Sequence, residues 1–378
     1  RDGGYYTNWD FDKNLLDTYF KSFNYLPVDY LEIGYRSNPM NSYLGAYFYC
    51  PLQILKGIKE KTQKKLVIML NEKDVRPEHC DALLGPCIGL IDMVRLAIDP
   101  KNFERALKLA QKVKSLGFEL GMNVMYMSNW KYQSKFVKQL KELNGLADYF
   151  YMVDSYGSVF PSDVKETYKL VEAEVKINIG FHGHNNMEMA LINTLTAIDC
   201  GAQIVDSTIT GMGRGAGNLK TELLLSALNV KDNLKLDFDA LSQIVDPFAE
   251  MQKAYDWGTN LPYMVSGGNC LPQKDVMEWM SKKTVSVNSI IRALNNQKVG
   301  IKDNEKLEKF NPNKKFTKAL IIGGGPSAVT HKDAIIEFVK SNKEDICIIH
   351  ASAKNAKVYQ NMSGIEQFFC LVGSEGYR

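Results

Sequence analysis

VKINIGFHGHNN (residues 175–186) runs through an apolar, alternating approach and then ends in two histidines one residue apart and two asparagines. Alternation with period two is the signature of a β-strand, and on a strand residues two apart point to the same side. His182 and His184 therefore share a face. Six more segments follow the same plan: DYLEIGYRS (29–37), KLVIMLNE (65–72), IGLIDMVRLAI (88–98), FELGMNVMYMS (118–128), DYFYMVDSYGS (148–158) and AQIVDSTITGMG (202–213). Successive starts are separated by the length that a strand and a returning helix require. Between them lie amphipathic stretches such as NFERALKLAQKVKSLG (102–117), apolar at Phe103, Ala106, Leu107, Ala110 and Val113 and stopped by glycine. An eighth strand is expected to end at Arg1-Asp2, with most of its length outside the chain. Eight such units predict an α/β fold, a (β/α)8 TIM barrel, in which nearly continuous apolar strands are covered by helices. A doubly wound open sheet is the alternative.

At 378 residues, 45% hydrophobic and 24% charged, the chain is long enough for a large domain plus a smaller one. The formal charge of +3 gives no ground for expecting a nucleic acid or membrane partner. The seven cysteines occur singly, without a CxxC, which predicts buried thiols in a reducing, cytoplasmic setting. CIGLIDMVRLAI (87–98) is the nearest approach to a membrane span, and Asp92 and Arg95 interrupt it.

Four regions are expected: the barrel over 1–230, a helical extension over 231–300, a charged linker over 301–317 and an α/β segment over 318–378. Within the extension, 237–258 and 272–283 read as helices and NLPYMVSGGN (260–269) as a Gly-rich loop carrying Tyr263. The last segment, with KALIIGGGPSAVTHKDAIIEFVK (318–340), resembles the opening of a Rossmann-type unit and is about half of one. It is either a site for a nucleotide or nucleotide-sugar or a scaffold and interaction module.

Polar residues collect at the C-terminal ends of the strands: Glu32 and Arg36, Asn71 and Glu72, Asn123, Asp154 and Ser155, His182 and His184, Asp206 and Thr208. In a barrel those ends form the mouth where chemistry occurs. Two imidazoles on one face suit a first-row divalent ion with a carboxylate as third ligand; two hydrogen-bonded histidines at a strand end are the plainer reading. Glu32 and Arg36 either serve the site or pair with each other.

Taken together, RDGG at the start and GFHGHNN with DSTITGMGRGAGN (180–218) resemble the HMGL-like (DRE-TIM) metallolyases. This family of TIM-barrel aldolases, lyases and acyl-CoA condensing enzymes includes 4-hydroxy-2-oxovalerate aldolase, hydroxymethylglutaryl-CoA lyase and isopropylmalate synthase. The matching motifs are Arg1-Asp2-Gly3, His182-Gly183-His184-Asn185 and Gly217-Asn218. The resemblance implies a divalent metal, Mn2+ or Mg2+, on Asp2, His182 and His184. Asn218 is implied as a further ligand or polar contact, and Arg1 as the stabiliser of an enolate oxygen. It also implies a 2-oxo acid and an aldehyde as substrates and a homodimer as the assembly. MVDSYGS (152–158) resembles a pocket segment of the family, which makes Asp154 and Ser155 substrate contacts or structural parts of a turn.

Where the aldolases of the family carry a histidine after R-D-G, this chain has Tyr5. Tyr5 is either a catalytic participant or a residue that positions substrate or packs. The glutamine of the synthases and the lyase's turn cysteine are both absent, which disfavours acyl-CoA substrates. The expected activity is a metal-dependent aldolase, a carbon–carbon lyase working through a pyruvate-type enolate. The alternatives are an acyl-CoA-dependent condensing or lyase enzyme and a non-catalytic barrel used as a binding scaffold.

Overall fold

The computed structural model describes residues 1–42, 44–282, 285–301 and 310–370, in two compact units that divide between Lys282 and Lys283. In the first unit, among the described residues, seven parallel strands form one sheet: β1 (Tyr30–Tyr35), β2 (Lys65–Asn71), β3 (Met93–Ile98), β4 (Glu119–Val124), β5 (Tyr149–Asp154), β6 (Asn178–Gly183) and β7 (Ile204–Val205). Spatial order equals chain order. A doubly wound sheet reverses its order at a switch point; this one never does, and it curls as a TIM barrel does. Side chains from its opposite ends meet inside, since Arg95 on β3 bonds both Glu32 on β1 and Asp206 after β7.

Leu66, Val67, Ile68, Met69 and Leu70 are all buried in sequence along β2, as a strand covered on both faces requires. Helix Phe103–Ser115 turns Phe103, Ala106, Leu107, Leu109, Ala110 and Val113 inward and ends before Gly117, whose φ of +90° suits the stop. Several strands are shorter than their apolar runs. β3 begins only at Met93, because Ile88–Asp92 forms a turn after a short 3-10 helix (Gly85–Cys87). β4 stops before Tyr126, which adopts φ +65°. Among the described residues β7 pairs only with β6, over two residues. Its other side faces β1 across a cavity of about 380 Å³, lined by Arg1, Asp2, Leu31, Ile33, Ile204 and Val205.

Three helices after the barrel, Phe238–Tyr255, Leu261–Gly268 and Gln273–Ser281, belong to the same compact unit. The middle one corrects the loop expected at 260–269. Asn260 caps it by accepting from the Tyr263 N–H, and its Gly267 is there for close approach: a Cβ would lie 2.7 Å from both Asn186 Cβ and the Tyr156 carbonyl. Gln273 donates to Asn186 and accepts from the Ala216 N–H, which ties these helices to the barrel mouth.

The second unit holds helix Val287–Lys298 and a three-stranded parallel sheet of β8 (Lys318–Ile322), β9 (Ile346–His350) and β10 (Gln367–Phe369), in the order β10-β9-β8. That is the 3-2-1 order of half a Rossmann fold. Asn355 donates to the carbonyls of Gly323 and Gly325, fixing the glycine turn after β8. Of the linker expected over 301–317, residues 302–309 lie outside the described residues, as do 371–374 of the last apolar run. Cys50, Cys80, Cys87 and Cys347 are buried free thiols. Among the described residues no helix is long and apolar enough to cross a membrane.

Candidate active site

The two histidines at the end of β6 lie with ring centroids 5.0 Å apart and planes at 83°. His184 Nδ1 is 2.8 Å from the Asp154 main-chain oxygen. A carbonyl can only accept, so Nδ1 carries the proton and Nε2 keeps its lone pair. Burial and the neighbouring His182 lower the His184 pKa to about 3, which holds it neutral. His182 Nδ1 is 2.8 Å from Asp206 Oδ2. Burial opposes the charge on Asp206, but Arg95 and His182 outweigh it and keep the carboxylate ionised. His182 Nδ1 is thereby the donor too, so in both imidazoles Nδ1 is spent on the protein and Nε2 is the nitrogen left over, as in metal-ligating histidines.

The glycine-rich turn delivers Asn218 to these rings. Gly211, Gly215 and Gly217 have φ of +68°, +61° and +79°. A Cβ on Gly217 would lie 2.2 Å from the Gly211 carbonyl oxygen, so no side chain fits there. The loop closes through Asn218 N–H to Gly211 O (2.9 Å) and Asn185 N–H to Gly217 O (2.9 Å), with an antiparallel bridge between His184 and Asn218. Asn218 Nδ2 then donates to Asp2 Oδ2 at 2.8 Å, across 216 positions of chain. Its Oδ1 is buried and has no hydrogen-bond partner. Asp2 is itself buried, which opposes ionisation, yet Arg1 and the histidines hold its pKa well below the usual carboxylate range.

Arg1 stands beside this group. Its Nε bonds Glu32 at 2.5 Å, one terminal nitrogen meets Asp2 at 2.8 Å and the other meets the Tyr35 hydroxyl at 3.3 Å. The Tyr35 hydroxyl is in turn 3.3 Å from that of Tyr5. Below them Arg95, only 4% exposed, bonds Glu32, Asp206 and Asn123 and lies 3.9 Å from the Tyr151 ring centroid.

A family profile described as HMGL-like matches residues 95–247. The crystal structure of the N-terminal domain of a candidate aldolase from Bacteroides vulgatus is 52% identical, covers 78% of this chain and 97% of that one, and superposes with a TM-score of 0.74. The chain belongs to the HMGL-like family. A 4-hydroxy-2-oxovalerate aldolase of Geobacillus thermodenitrificans is 36% identical over 140 residues, which is 37% of this chain and 41% of that enzyme. This match thus spans well under two thirds of the relative's length. The carboxyl transferase domain of Rhizobium etli pyruvate carboxylase, 15% identical with a TM-score of 0.60 over 80% of this chain and 55% of that one, shares the fold.

Within this HMGL-like barrel, the residues expected at the site divide. Arg1, Asp2, Tyr5, Glu32, His182, His184 and Asn218 belong to one linked cluster. Arg36 does not: it donates to the carbonyls of Leu83, Tyr49 and Cys50 and forms no pair with Glu32. The Asp154 carboxylate turns into its own loop to accept from the N–H groups of Ser158 and Val159, and Ser155 Oγ accepts from the Tyr126 N–H. Both therefore act on the turn; what Asp154 gives the site is its main-chain oxygen. Arg95 and Tyr35 were not anticipated. The signal for Arg95 was present, as a lone charge inside an apolar strand.

A divalent ion fits the donors. Two imidazole Nε2 atoms, an ionised carboxylate and an unpartnered amide oxygen form a set suited to Mn2+, Mg2+ or a similar ion. Among the described residues no three His, Cys, Asp or Glu side chains are already gathered as ligands. Asp2 spends Oδ2 on Arg1 and Asn218, so it is the side chain that would have to turn.

Proposed function

We propose that the protein is a divalent-metal-dependent aldolase that makes and breaks the carbon–carbon bond between a 2-oxo acid and an aldehyde through a pyruvate-type enolate. The observation that carries this reading is the fixed tautomer of His182 and His184, each held through Nδ1, beside the unpartnered Asn218 oxygen. Asp2, His182, His184 and Asn218 would hold the ion, whose contribution is Lewis acidity toward a keto oxygen.

The chain's own groups do the rest. Arg1, oriented by Glu32, Tyr35 and Asp2, puts a guanidinium where negative charge grows on the keto oxygen. Glu32 is a positioning residue, shared between Arg1 and Arg95. In the cleavage direction the substrate's 4-hydroxyl loses its proton and the adjacent carbon–carbon bond breaks. Its electron pair passes into the enolate of the 2-oxo acid, and the aldehyde departs. Tyr5, whose hydroxyl is linked through Tyr35 to Arg1, is the group placed to hold that proton. Protonation of the enolate carbon completes the 2-oxo acid, and the reverse sequence is aldol addition.

The full chain with Mn2+, given a 4-hydroxy-2-oxo acid such as 4-hydroxy-2-oxovalerate, is expected to release pyruvate, read by coupling to lactate dehydrogenase. Release that is lost with EDTA and regained with Mn2+ supports the reading. No release from 4-hydroxy-2-oxo acids of several chain lengths would sink it.

A further inference from the structure

We propose that Arg214 selects the second substrate by binding an anionic group, carboxylate or phosphate, at the end of the aldehyde remote from its carbonyl. The inference rests on the aldolase reading above. Arg214 sits in the glycine-rich turn with its guanidinium carbon 4.2 Å from the centroid of the Tyr5 ring. It shares a hydrogen bond with Tyr5 and lies within electrostatic reach of Asp2, Tyr35, His184 and Tyr126.

Other arginines of the first unit are committed. Arg1 pairs with Asp2 and Glu32, Arg95 with Glu32 and Asp206, Arg76 and Arg105 with Glu72, and Arg36 with three carbonyls. Arg214 forms no ion pair with a carboxylate among the described residues and is exposed. Apart from its contact with Tyr5 it is a cation with donors left for a ligand.

Depth assigns the ligand. Asp2, His182 and Asn218 are 8%, 4% and 2% exposed, so the floor where a small 2-oxo acid would react is closed. Arg214, itself exposed, packs on the ring of Tyr5, whose hydroxyl is linked through Tyr35 to Arg1 at that floor. An aldehyde that meets the enolate carbon from the open side must direct its far end outward, toward this guanidinium. A neutral tail gains little there, whereas a carboxylate or phosphate gains two charge-assisted hydrogen bonds.

The test uses the full chain with pyruvate and Mn2+ and compares kcat/KM for glyceraldehyde 3-phosphate, succinic semialdehyde and the neutral aldehydes glyceraldehyde and butanal. The wild type is expected to favour one anionic aldehyde over its neutral counterpart by between about tenfold and a hundredfold, the range for hydrogen bonds to a charged group. Which anion is favoured decides between phosphate and carboxylate. In Arg214→Gln the ratio is expected to fall to about one, and Arg214→Lys to restore part of it. Equal losses for anionic and neutral aldehydes would mean that Arg214 only supports Tyr5, and would overturn the assignment. So would a wild type that exchanges pyruvate methyl protons in D2O yet shows no preference, a result that leaves the enolate reading standing. Absence of that exchange in the wild type is instead the failure of the underlying reading.

Discussion

His184→Ala is expected to abolish the stabilisation that Mn2+ gives the wild type and to lower kcat/KM for pyruvate release by about a thousandfold. The wild type, at Mn2+ a hundred times its dissociation constant, should gain about 2.7 kcal/mol of stability, because the ion binds only the folded chain. The variant should gain close to nothing at the same concentration. His184 brings to the site an Nε2 lone pair fixed by the Asp154 carbonyl, and alanine has no donor to replace it. Loss of the ion removes several kcal/mol of transition-state charge stabilisation, and each 1.4 kcal/mol is roughly a factor of ten. Without metal the variant should be less stable by only about 1–3 kcal/mol, the cost of leaving that buried carbonyl unpaired. An unchanged Mn2+-induced melting shift in His184→Ala would contradict the ligand assignment.

Arg95→Leu is expected to cost the first unit about 3–5 kcal/mol, read from urea unfolding followed by tryptophan fluorescence. The guanidinium is the counter-charge for two carboxylates, Glu32 at 2.9 Å and Asp206 at 2.5 Å, and also bonds Asn123. Leucine fills much of the volume but removes the guanidinium that the two carboxylates share, leaving Glu32 with Arg1 and Asp206 with His182. The damage should spread to the site, since Glu32 orients Arg1 and Asp206 fixes the His182 tautomer. Adding Glu32→Gln and Asp206→Asn to Arg95→Leu should recover part of the stability, because contacting residues are not additive. A loss below about 1 kcal/mol for Arg95→Leu alone would show that this network is not what holds the barrel interior.

The barrel was legible in the sequence because each strand carries a covered apolar run, and the histidine pair because period two puts both rings on one face. Arg95 was not. A charge in CIGLIDMVRLAI reads as the interruption of a membrane-like run, and its partners lie 63 and 111 positions away, brought near only when the sheet curls. Arg36 failed for a local reason. Counting by two from Glu32 puts it on the same face, but the β1–β2 register shifts between Glu32 and Gly34 and the guanidinium goes to the carbonyls near Leu83 instead. The glycines of 260–269 read as a loop, although Gly267 is needed for helix packing against Asn186 rather than for a turn. Asp154 illustrates a further limit: a strand-end carboxylate draws notice, while its working group toward His184 is a main-chain oxygen that every residue possesses.

If this cluster generates the enolate of a 2-oxo acid, pyruvate alone reports it, without knowledge of the aldehyde. The full chain is incubated with pyruvate and Mn2+ or Mg2+ in D2O, and the methyl proton signal is followed by NMR. The predicted result is enzyme-dependent loss of that signal, stopped by EDTA and absent in His182→Ala. A folded, metal-loaded protein that leaves the methyl protons of pyruvate unexchanged would contradict it.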